Sequence, residues 1–219
     1  MLQHVYERAS EARYLSKVIV ATDDERIHKA TRAFGAPAVM TSTQHLSGTD
    51  RVAEVASSDT ATVLVNIQGD EPLIDPAAID AAVLALLDDS EVQMSTLMKI
   101  IEDPREITDP NVVKVVTNLS GDAVYFSRSP IPFVRDAADR VAPYYKHLGL
   151  YVYRRDFLLA YSALPVGPLE RMERLEQLRA IENGHRVRVV ETESESLGVD
   201  TPEDLARVAA LFEPILKTQ

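Results

Sequence analysis

The sequence predicts an α/β fold, and three observations indicate it. Helical and strand patterns alternate through the first part of the chain. The run Thr-Val-Leu-Val-Asn-Ile at 62–67 is apolar without polar alternation, which is typical of a parallel strand covered on both faces. Beyond residue 110 the order changes from alternating elements to adjacent strands. We therefore expect 62–67 to be the central strand of the fold.

Apolar spacing and boundary residues indicate each element of the N-terminal half. Residues at helical spacing indicate helices, and short β-branched runs indicate strands. Gly35 is expected to end one helix, and Asp75-Pro76 to begin another with Asp75 as N-cap. The predicted order is helix 1–9, strand 17–22, helix 27–34, strand 38–40, polar loop 41–51, a helix carrying Val52, Val55 and Ala56, strand 62–67, helix 76–87 and strand 92–98.

The C-terminal half predicts a hairpin and a long helix. Strands at 112–117 and 123–127 flank a turn centred on Gly121. A single helix is expected from Pro168 to Gly184. The remaining expectations are a helical turn at Asp103-Pro104, a strand at 146–154, the buried helix positions Met172, Leu175 and Leu178, a strand at 187–190, and a C-terminal helix opened by a capping box at 201–204.

Composition restricts the class of protein. The 219 residues, 46% hydrophobic and 26% charged, fit a single domain spanning 1–219. The absence of cysteine excludes disulfides, zinc–thiolate sites and cysteine nucleophiles. A formal net charge of −11 argues against general nucleic-acid binding. No apolar run approaches the ~20 residues of a membrane helix and no signal peptide opens the chain, so we expect no membrane insertion and a cytoplasmic location.

Two acidic residues are candidate metal ligands. Asp70 follows the predicted central strand, and in open α/β sheets ligands bind beyond the carboxyl ends of strands. Asp200 precedes the cap of the C-terminal helix. Isolated carboxylates suit Mg²⁺, which commonly takes one or two of them and keeps several waters. The alternatives are that Gly69 and Asp70 only form a tight turn, and that Asp200 is a structural acid before a helix.

The loop before the third predicted helix is a candidate anion or nucleotide site. Ser47, Gly48 and Thr49 form the helix N-terminus, whose backbone N–H groups attract anions or a polar ring, and Arg51 lies in the first turn. The alternative is a plain Ser/Thr-capped helix with a solvated arginine.

Six short motifs follow one another along the chain. They are Ser-Gly-Thr-Asp-Arg at 47–51, Asn-Ile-Gln-Gly-Asp-Glu-Pro at 66–72, Tyr-Phe-Ser-Arg at 125–128, His-Leu-Gly-Leu-Tyr at 147–151, Leu-Glu-Gln-Leu-Arg at 175–179 and Gly-Val-Asp-Thr-Pro-Glu-Asp at 198–204. Each motif is weak by itself, but the ordered set covers essentially the whole chain. Together they resemble the 3-deoxy-manno-octulosonate cytidylyltransferase family.

The resemblance implies a nucleotidyltransferase fold of the Rossmann-like, nucleotide-diphospho-sugar transferase type. This fold would have a mixed, mostly parallel sheet flanked by helices and a dimerising hairpin region, so a homodimer is expected. The implied reaction joins CTP and the acidic sugar 3-deoxy-manno-octulosonate (KDO) to give CMP-KDO and pyrophosphate for lipopolysaccharide synthesis.

The resemblance also implies roles for individual residues. Asp70 and Asp200 would hold Mg²⁺; Ser47, Gly48 and Arg51 would contact the cytidine; Arg128 would pair with the sugar carboxylate or its neighbours; and Gln68, His147, Tyr151, Glu176 and Gln177 would hydrogen-bond the sugar hydroxyls. The alternatives are a structural strand-end histidine at 147 and a solvated helix face at Glu176 and Gln177.

One departure from the family pattern concerns the N-terminus. Family members begin with a strand and a basic Gly/Pro-containing loop that grips the triphosphate, and this sequence starts downstream of both. We expect the missing segment to be encoded just upstream, and the 219-residue chain to release little pyrophosphate without it. Two other interpretations are a cytidylyltransferase for another acidic sugar, such as amino-KDO or a sialic acid, and a truncated non-catalytic paralogue.

Overall fold

The computed structural model of the protein describes residues 1–136, 143–194, 198–199 and 201–216. The chain divides into two compact units. The first contains Met1–Val55, Ile67–Asp80 and Ser194–Gln219, and the second contains Ala56–Asn66 and Ala81–Glu193. The single domain over 1–219 stays a prediction.

The first unit holds a two-stranded parallel sheet. β1 (Val20–Thr22) pairs with β2 (Ala38–Met40), and α2 (Glu25–Ala33) connects them in sequence. Gly35 follows α2 with a φ of +84°, in the left-handed region where helices commonly end at glycine. The other elements of this unit are α1 (Leu2–Ser10), α9 (Pro202–Leu216) and the first residues of α3 (Gly48–Ser57) and α4 (Pro76–Leu87).

The second unit is built around β7 (Tyr145–Arg154). One edge of β7 pairs antiparallel with β4 (Met94–Ile100). The other edge pairs antiparallel with β3 (Val63–Asn66) at one end and with β5 (Lys114–Thr117) at the other. The sheet is completed by β6 (Ala123–Ser127), antiparallel to β5, and β8 (Val187–Glu191), parallel to β4, and the unit also contains α5 (Pro104–Thr108), α6 (Arg155–Tyr161), α7 (Pro168–Glu173) and α8 (Leu178–Glu182).

The prediction of a mixed sheet flanked by helices is confirmed, but its strand directions differ from expectation. β3 is antiparallel to β7, so the interpretation of 62–67 as a central parallel strand is wrong. Within the described residues, the pairings of the larger sheet are antiparallel except β4–β8, so the sheet is not mostly parallel. An apolar run indicates burial but carries no information on strand direction. Moreover, Val63, Leu64 and Val65 are only partly buried.

The helix predicted from Pro168 to Gly184 is broken. α7 ends at Glu173, and Arg174 adopts the left-handed conformation with a φ of +52°. Met172 is 81% exposed, so its predicted burial is wrong, whereas Leu175 and Leu178 are buried as expected. The residues between α7 and α8 instead form a turn, whose contacts are described below. The pattern also missed α6.

Local capping signals predicted several element boundaries correctly. The Ala77 N–H donates to Asp75 Oδ1 (2.9 Å) at the start of α4. The Asp204 N–H donates to Thr201 Oγ1 (3.1 Å) and the Thr201 N–H donates to Asp204 Oδ2 (3.1 Å), which is the reciprocal pattern of a capping box. The β5–β6 hairpin turns at Gly121, where φ is +78°.

Buried side chains of the second unit form an apolar core on and beside its sheet. They include Met94, Leu97, Phe126, Leu150, Val152, Tyr153 and Leu158. Among the described helices, none combines the length and hydrophobicity needed to cross a membrane.

Candidate active site

The loop before α3 is a capped helix start. The Asp50 N–H donates to Ser47 Oγ (3.1 Å), so Ser47 satisfies one of the free N–H groups of the first turn. Gly48 is exposed, and Thr49 is buried. The capping role considered for this loop is therefore present. The cytidine contacts of Ser47 and Gly48 remain a prediction.

Arg51 is paired rather than solvated. Its guanidinium donates to Thr41 Oγ1 (2.5 Å) and to Asp23 Oδ2 (2.9 Å). Only 20% of the Arg51 side chain is exposed. The contact with Asp23 joins the loop to the segment after β1, so Arg51 helps to hold this part of the first unit together.

The turn after β3 holds Gln68 and Asp70. The Glu71 N–H donates to the Gln68 carbonyl (3.4 Å), and the Val199 N–H donates to the Asp70 carbonyl (2.9 Å). A Cβ on Gly69 would lie 3.4 Å from Leu2 Cδ1, so a larger residue there would crowd α1. The Asp70 side chain is partly buried at this turn. Asp200, the sequence neighbour of Val199, lies outside the described residues.

The described residues contain no cluster of three or more His, Asp or Glu arranged to hold a metal ion. The sequence predicted a site of two carboxylates completed by substrate and water, with Asp200 as one of them. The predicted magnesium site therefore stays a prediction.

His147 lies on β7 in a largely apolar and hydroxyl-lined environment. Its ring contacts Phe126 edge-on (5.0 Å between centroids) and Tyr151 (5.5 Å). Burial lowers the pKa of His147 from 6.5 to about 3, so the imidazole is neutral near pH 7.

The Thr96 hydroxyl determines the tautomer of His147. Thr96 Oγ1 lies 2.7 Å from the Leu150 carbonyl and 2.8 Å from His147 Nε2. Because a hydroxyl has one proton and a carbonyl can only accept, Thr96 donates to Leu150 and accepts from His147. Nδ1 of His147 is then the ring nitrogen that can accept a hydrogen bond.

Glu176 and Gln177 lie in the turn between α7 and α8, so the solvated helix face considered for them is wrong. Gln177 is 3% exposed, and its Oε1 accepts from the Tyr151 hydroxyl (3.3 Å). The Tyr161 hydroxyl donates to the Glu176 carbonyl (2.6 Å). These contacts hold the turn against β7 and α6 and bring Tyr151 and Gln177 together.

A buried ion pair supports the same turn from α8. The Arg179 guanidinium donates twice to the Glu170 carboxylate (2.6 and 2.9 Å), and it lies 5.1 Å from the centre of the Tyr161 ring. The hydrogen bonds to Glu170 raise the pKa of Arg179, which stays charged.

Arg128, at the end of β6, is held differently from Arg51. Its guanidinium donates to the carbonyls of Glu173 (2.8 Å), Pro110 (2.9 Å) and Arg174 (3.5 Å). Within the described part of the chain, no carboxylate forms an ion pair with this guanidinium, although its charge attracts the nearby Glu173 carboxylate.

Glu173 was not singled out from the sequence, yet it organises this corner. Its carboxylate accepts from the Arg128 N–H (3.0 Å), the Ser127 hydroxyl (2.6 Å) and the Tyr125 hydroxyl (3.3 Å). Burial by itself would raise the pKa of Glu173, but these donors and the positive charge of Arg128 outweigh burial and lower the pKa below its ordinary value. No local pattern marks this residue, because its partners lie more than 40 positions away in the chain.

The candidate residues thus fall into two groups. Ser47, Gly48, Arg51, Gln68 and Asp70 lie in the first unit, and Arg128, His147, Tyr151, Glu176 and Gln177 lie in the second. The second group is brought together by the hydrogen bonds and ring contacts of β7 and the α7–α8 turn.

Comparison with known proteins decides the family. The family model described as cytidylyltransferase matches residues 1–191. The 3-deoxy-manno-octulosonate cytidylyltransferase of Solibacter usitatus is 72% identical over 97% of this chain and 84% of its own length. The chain belongs to the 3-deoxy-manno-octulosonate cytidylyltransferase family. The enzyme of the same name from Geobacter metallireducens is 55% identical over 95% of this chain and 85% of its own length.

A solved structure supports both the family and the fold. The structure of CMP:2-keto-3-deoxy-manno-octonic acid synthetase in complex with CTP matches with a TM-score of 0.91 and 45% identity. The match covers 96% of this chain and 86% of that chain. The resemblance inferred from the six motifs is confirmed, and with it the nucleotidyltransferase fold of this cytidylyltransferase.

Proposed function

We propose that this chain transfers CMP from CTP to KDO, giving CMP-KDO and pyrophosphate. Relatives named for this activity support the proposal, as does the similar synthetase structure that contains CTP. Arg128 carries the sugar assignment, because main-chain carbonyls hold its guanidinium and leave N–H donors that could bind the carboxylate of an acidic sugar. A guanidinium recognises a carboxylate through two parallel N–H donors.

In the proposed reaction the anomeric hydroxyl oxygen of KDO attacks the α-phosphorus of CTP. The new O–P bond forms as the bond to the pyrophosphate oxygen breaks, and the hydroxyl proton passes to solvent water. Arg128 binds the sugar carboxylate, and Tyr151 and Gln177 hydrogen-bond sugar hydroxyls. Neutral His147 accepts a hydrogen bond from a sugar hydroxyl at Nδ1. Holding the sugar in one orientation supplies much of the rate enhancement in such displacements.

We propose that Asp70 and Asp200 would hold Mg²⁺. The main-chain hydrogen bond between Asp70 and Val199, the residue before Asp200, supports this placement. The ion would supply a Lewis acid that lowers the pKa of the attacking hydroxyl and stabilises charge on the phosphate. Ser47, Gly48 and Arg51 would bind the cytidine, and Gln68 would bind the sugar. A homodimer, a role in lipopolysaccharide synthesis and a cytoplasmic location belong to the same proposal.

Pyrophosphate release tests the function. We expect release only when CTP, KDO and Mg²⁺ are all present, and far more of it from a form preceded by the family's N-terminal strand and phosphate loop than from the 219-residue chain. If neither form acts on KDO, the proposal is wrong. If the protein instead turns over amino-KDO or a sialic acid, its substrate is that other acidic sugar.

Asp70→Asn tests the metal site in the active form. Loss of a metal ligand should lower kcat by at least about a hundredfold while the protein stays folded. Asp80→Asn is the matched control, because Asp80 accepts the N–H groups of Arg13 and Tyr14 and has no proposed metal contact. A normal rate for Asp70→Asn at saturating Mg²⁺ would show that Asp70 only forms the turn and is not a metal ligand.

A further inference from the structure

The backbone of Arg128 is clamped from both sides. Its N–H donates to Glu173 Oε2 (3.0 Å), and its carbonyl accepts from Lys114 Nζ (2.7 Å). Lys114 is completely buried and also donates to the carbonyls of Asp109 (2.8 Å) and Val112 (2.7 Å). These two carbonyls flank Pro110, whose carbonyl accepts from Arg128. The main chain under the guanidinium is therefore fixed.

The guanidinium of Arg128 is fixed as well. It carries five N–H donors, and the contacts to the carbonyls of Glu173, Pro110 and Arg174 use one each, which leaves two. Carbonyl oxygens satisfy hydrogen bonds without cancelling the charge. Arg128 is thus oriented, charged and able to donate further hydrogen bonds.

The last residue of α7, Glu173, and the first residue of the α7–α8 turn, Arg174, supply two of these carbonyls because the helix breaks there. Arg174 has a φ of +52°, a conformation that costs free energy for any residue other than glycine and persists where surrounding contacts require it. Glu173 supplies such contacts, since its carboxylate binds β6 through Tyr125, Ser127 and the Arg128 N–H. One residue therefore fixes both the turn and the arginine.

We propose that Glu173 is a positioning residue that gives this enzyme its selectivity for a sugar bearing a carboxylate. It would act by holding Arg128 as a charged fork whose guanidinium is oriented by carbonyls and is not bound directly by a carboxylate of the described residues. This inference rests on the proposed function, and specifically on Arg128 binding the sugar acid. A role of Arg128 on the phosphates of CTP is the competing outcome, and the test separates the two.

Glu173→Gln is the decisive variant, because an amide of the same shape loses the charge and cannot accept all three hydrogen bonds. We expect the KM for KDO to rise about tenfold, while the KM for CTP and kcat stay within about threefold. Glu182→Gln is the matched control. Glu182 also accepts two backbone N–H groups, from Leu169 (2.8 Å) and Glu170 (3.0 Å), but it does not touch Arg128.

The KDO carboxamide lacks the sugar's negative charge. The ratio of kcat/KM for KDO to kcat/KM for the carboxamide would not change if the variant were only less stable. In the parent enzyme we expect KDO to be preferred over the carboxamide in kcat/KM by about a hundredfold. In Glu173→Gln this preference should shrink to about tenfold. The substitution and the use of the carboxamide each weaken the same interaction, that between Arg128 and the sugar carboxylate, so their effects are not additive. In Glu182→Gln the preference should be unchanged.

The outcomes are distinguishable. If the parent enzyme does not turn over KDO, the proposed function fails and this inference fails with it. If the parent turns over KDO but Glu173→Gln keeps the full preference for the carboxylate, only the role of Glu173 is overturned. A rise confined to the KM for CTP would assign Arg128 to the nucleotide. Should Glu173→Gln not fold, Tyr125→Phe removes one donor to the same carboxylate, and its KM for KDO should rise about threefold.

Discussion

Two arginines, one in each unit, are held by opposite means. Arg51 donates to the carboxylate of Asp23, so its charge is balanced within the first unit. Arg128 donates to main-chain carbonyls, so in the second unit its guanidinium is oriented without direct contact to a carboxylate of the described residues. An anion approaching Arg51 must share its guanidinium with Asp23, whereas an anion approaching Arg128 meets a guanidinium that no carboxylate of the described residues binds directly. The two arginines are therefore suited to different ligands.

This difference shows that a side chain's partners inform on its role more than its burial does. Both arginines are partly buried. A carboxylate partner stabilises the local structure and reduces the affinity for a second anion, while carbonyl partners hold the guanidinium without neutralising it. Arg51 is thus expected to bind the polar cytidine, and Arg128 the acid group of the sugar.

The largest expected effect is that of replacing each arginine by glutamine. Arg128→Gln should lower kcat/KM for KDO by about a hundredfold, because two charge-assisted hydrogen bonds to the carboxylate are lost. Arg51→Gln should raise the KM for CTP by no more than about tenfold and leave the KM for KDO unchanged. Steady-state pyrophosphate release with each substrate varied in turn measures both. If Arg51→Gln lowered kcat/KM for KDO as much as Arg128→Gln does, the proposed difference between the two arginines would be wrong.

The same contrast applies to two lysines of the second unit. Lys114 is buried among three carbonyl acceptors, and burial lowers its pKa. Lys146 donates to the Glu106 carboxylate (2.8 Å) with 17% of its side chain exposed. Lys114→Met should lower the free energy of unfolding by about 2 kcal/mol, because three partly buried hydrogen bonds to carbonyls are lost. Lys146→Met should cost less than about 1 kcal/mol. Urea denaturation measures both, and a larger cost for Lys146→Met would contradict the prediction.

The smallest expected effect distinguishes the histidines of the two units. His45 contacts the carboxylate of Glu54, whereas His147 contacts a hydroxyl and aromatic rings. Burial lowers the pKa of His147 to about 3 in the folded protein. Between pH 6.5 and 3 the unfolded chain therefore binds a proton at His147 more readily than the folded protein does. Stability is therefore lost as the pH falls through that range, by roughly 1 kcal/mol between pH 7.5 and 5.5.

Thermal or urea denaturation at these two pH values checks this effect. His147→Gln should remove the loss of stability that His147 causes between the two pH values. His45→Gln should leave this loss unchanged. An unchanged pH dependence in His147→Gln would mean that other groups account for it.

The sequence predicted the fold best where the determining residues are neighbours in the chain. Asp75 and Pro76 begin α4, Gly121 turns the β5–β6 hairpin, and Thr201 with Asp204 caps α9, each as expected. These elements depend on the conformational preferences of a few consecutive residues, which a local pattern records directly. The order of the six motifs was likewise sufficient to recognise the family.

Tertiary contacts decided the remainder. The apolar run at 62–67 did not reveal that β3 pairs antiparallel with β7, because the partner lies far along the chain. Helical spacing from Pro168 to Gly184 did not reveal the break at Arg174, since Glu173 is drawn to β6 by donors 45 to 48 positions away. The sequence by itself therefore determined the family, the local elements and the candidate residues. The tertiary structure determined strand direction, the α7–α8 turn and the partners of Arg51 and Arg128, because all of these depend on hydrogen bonds between distant segments.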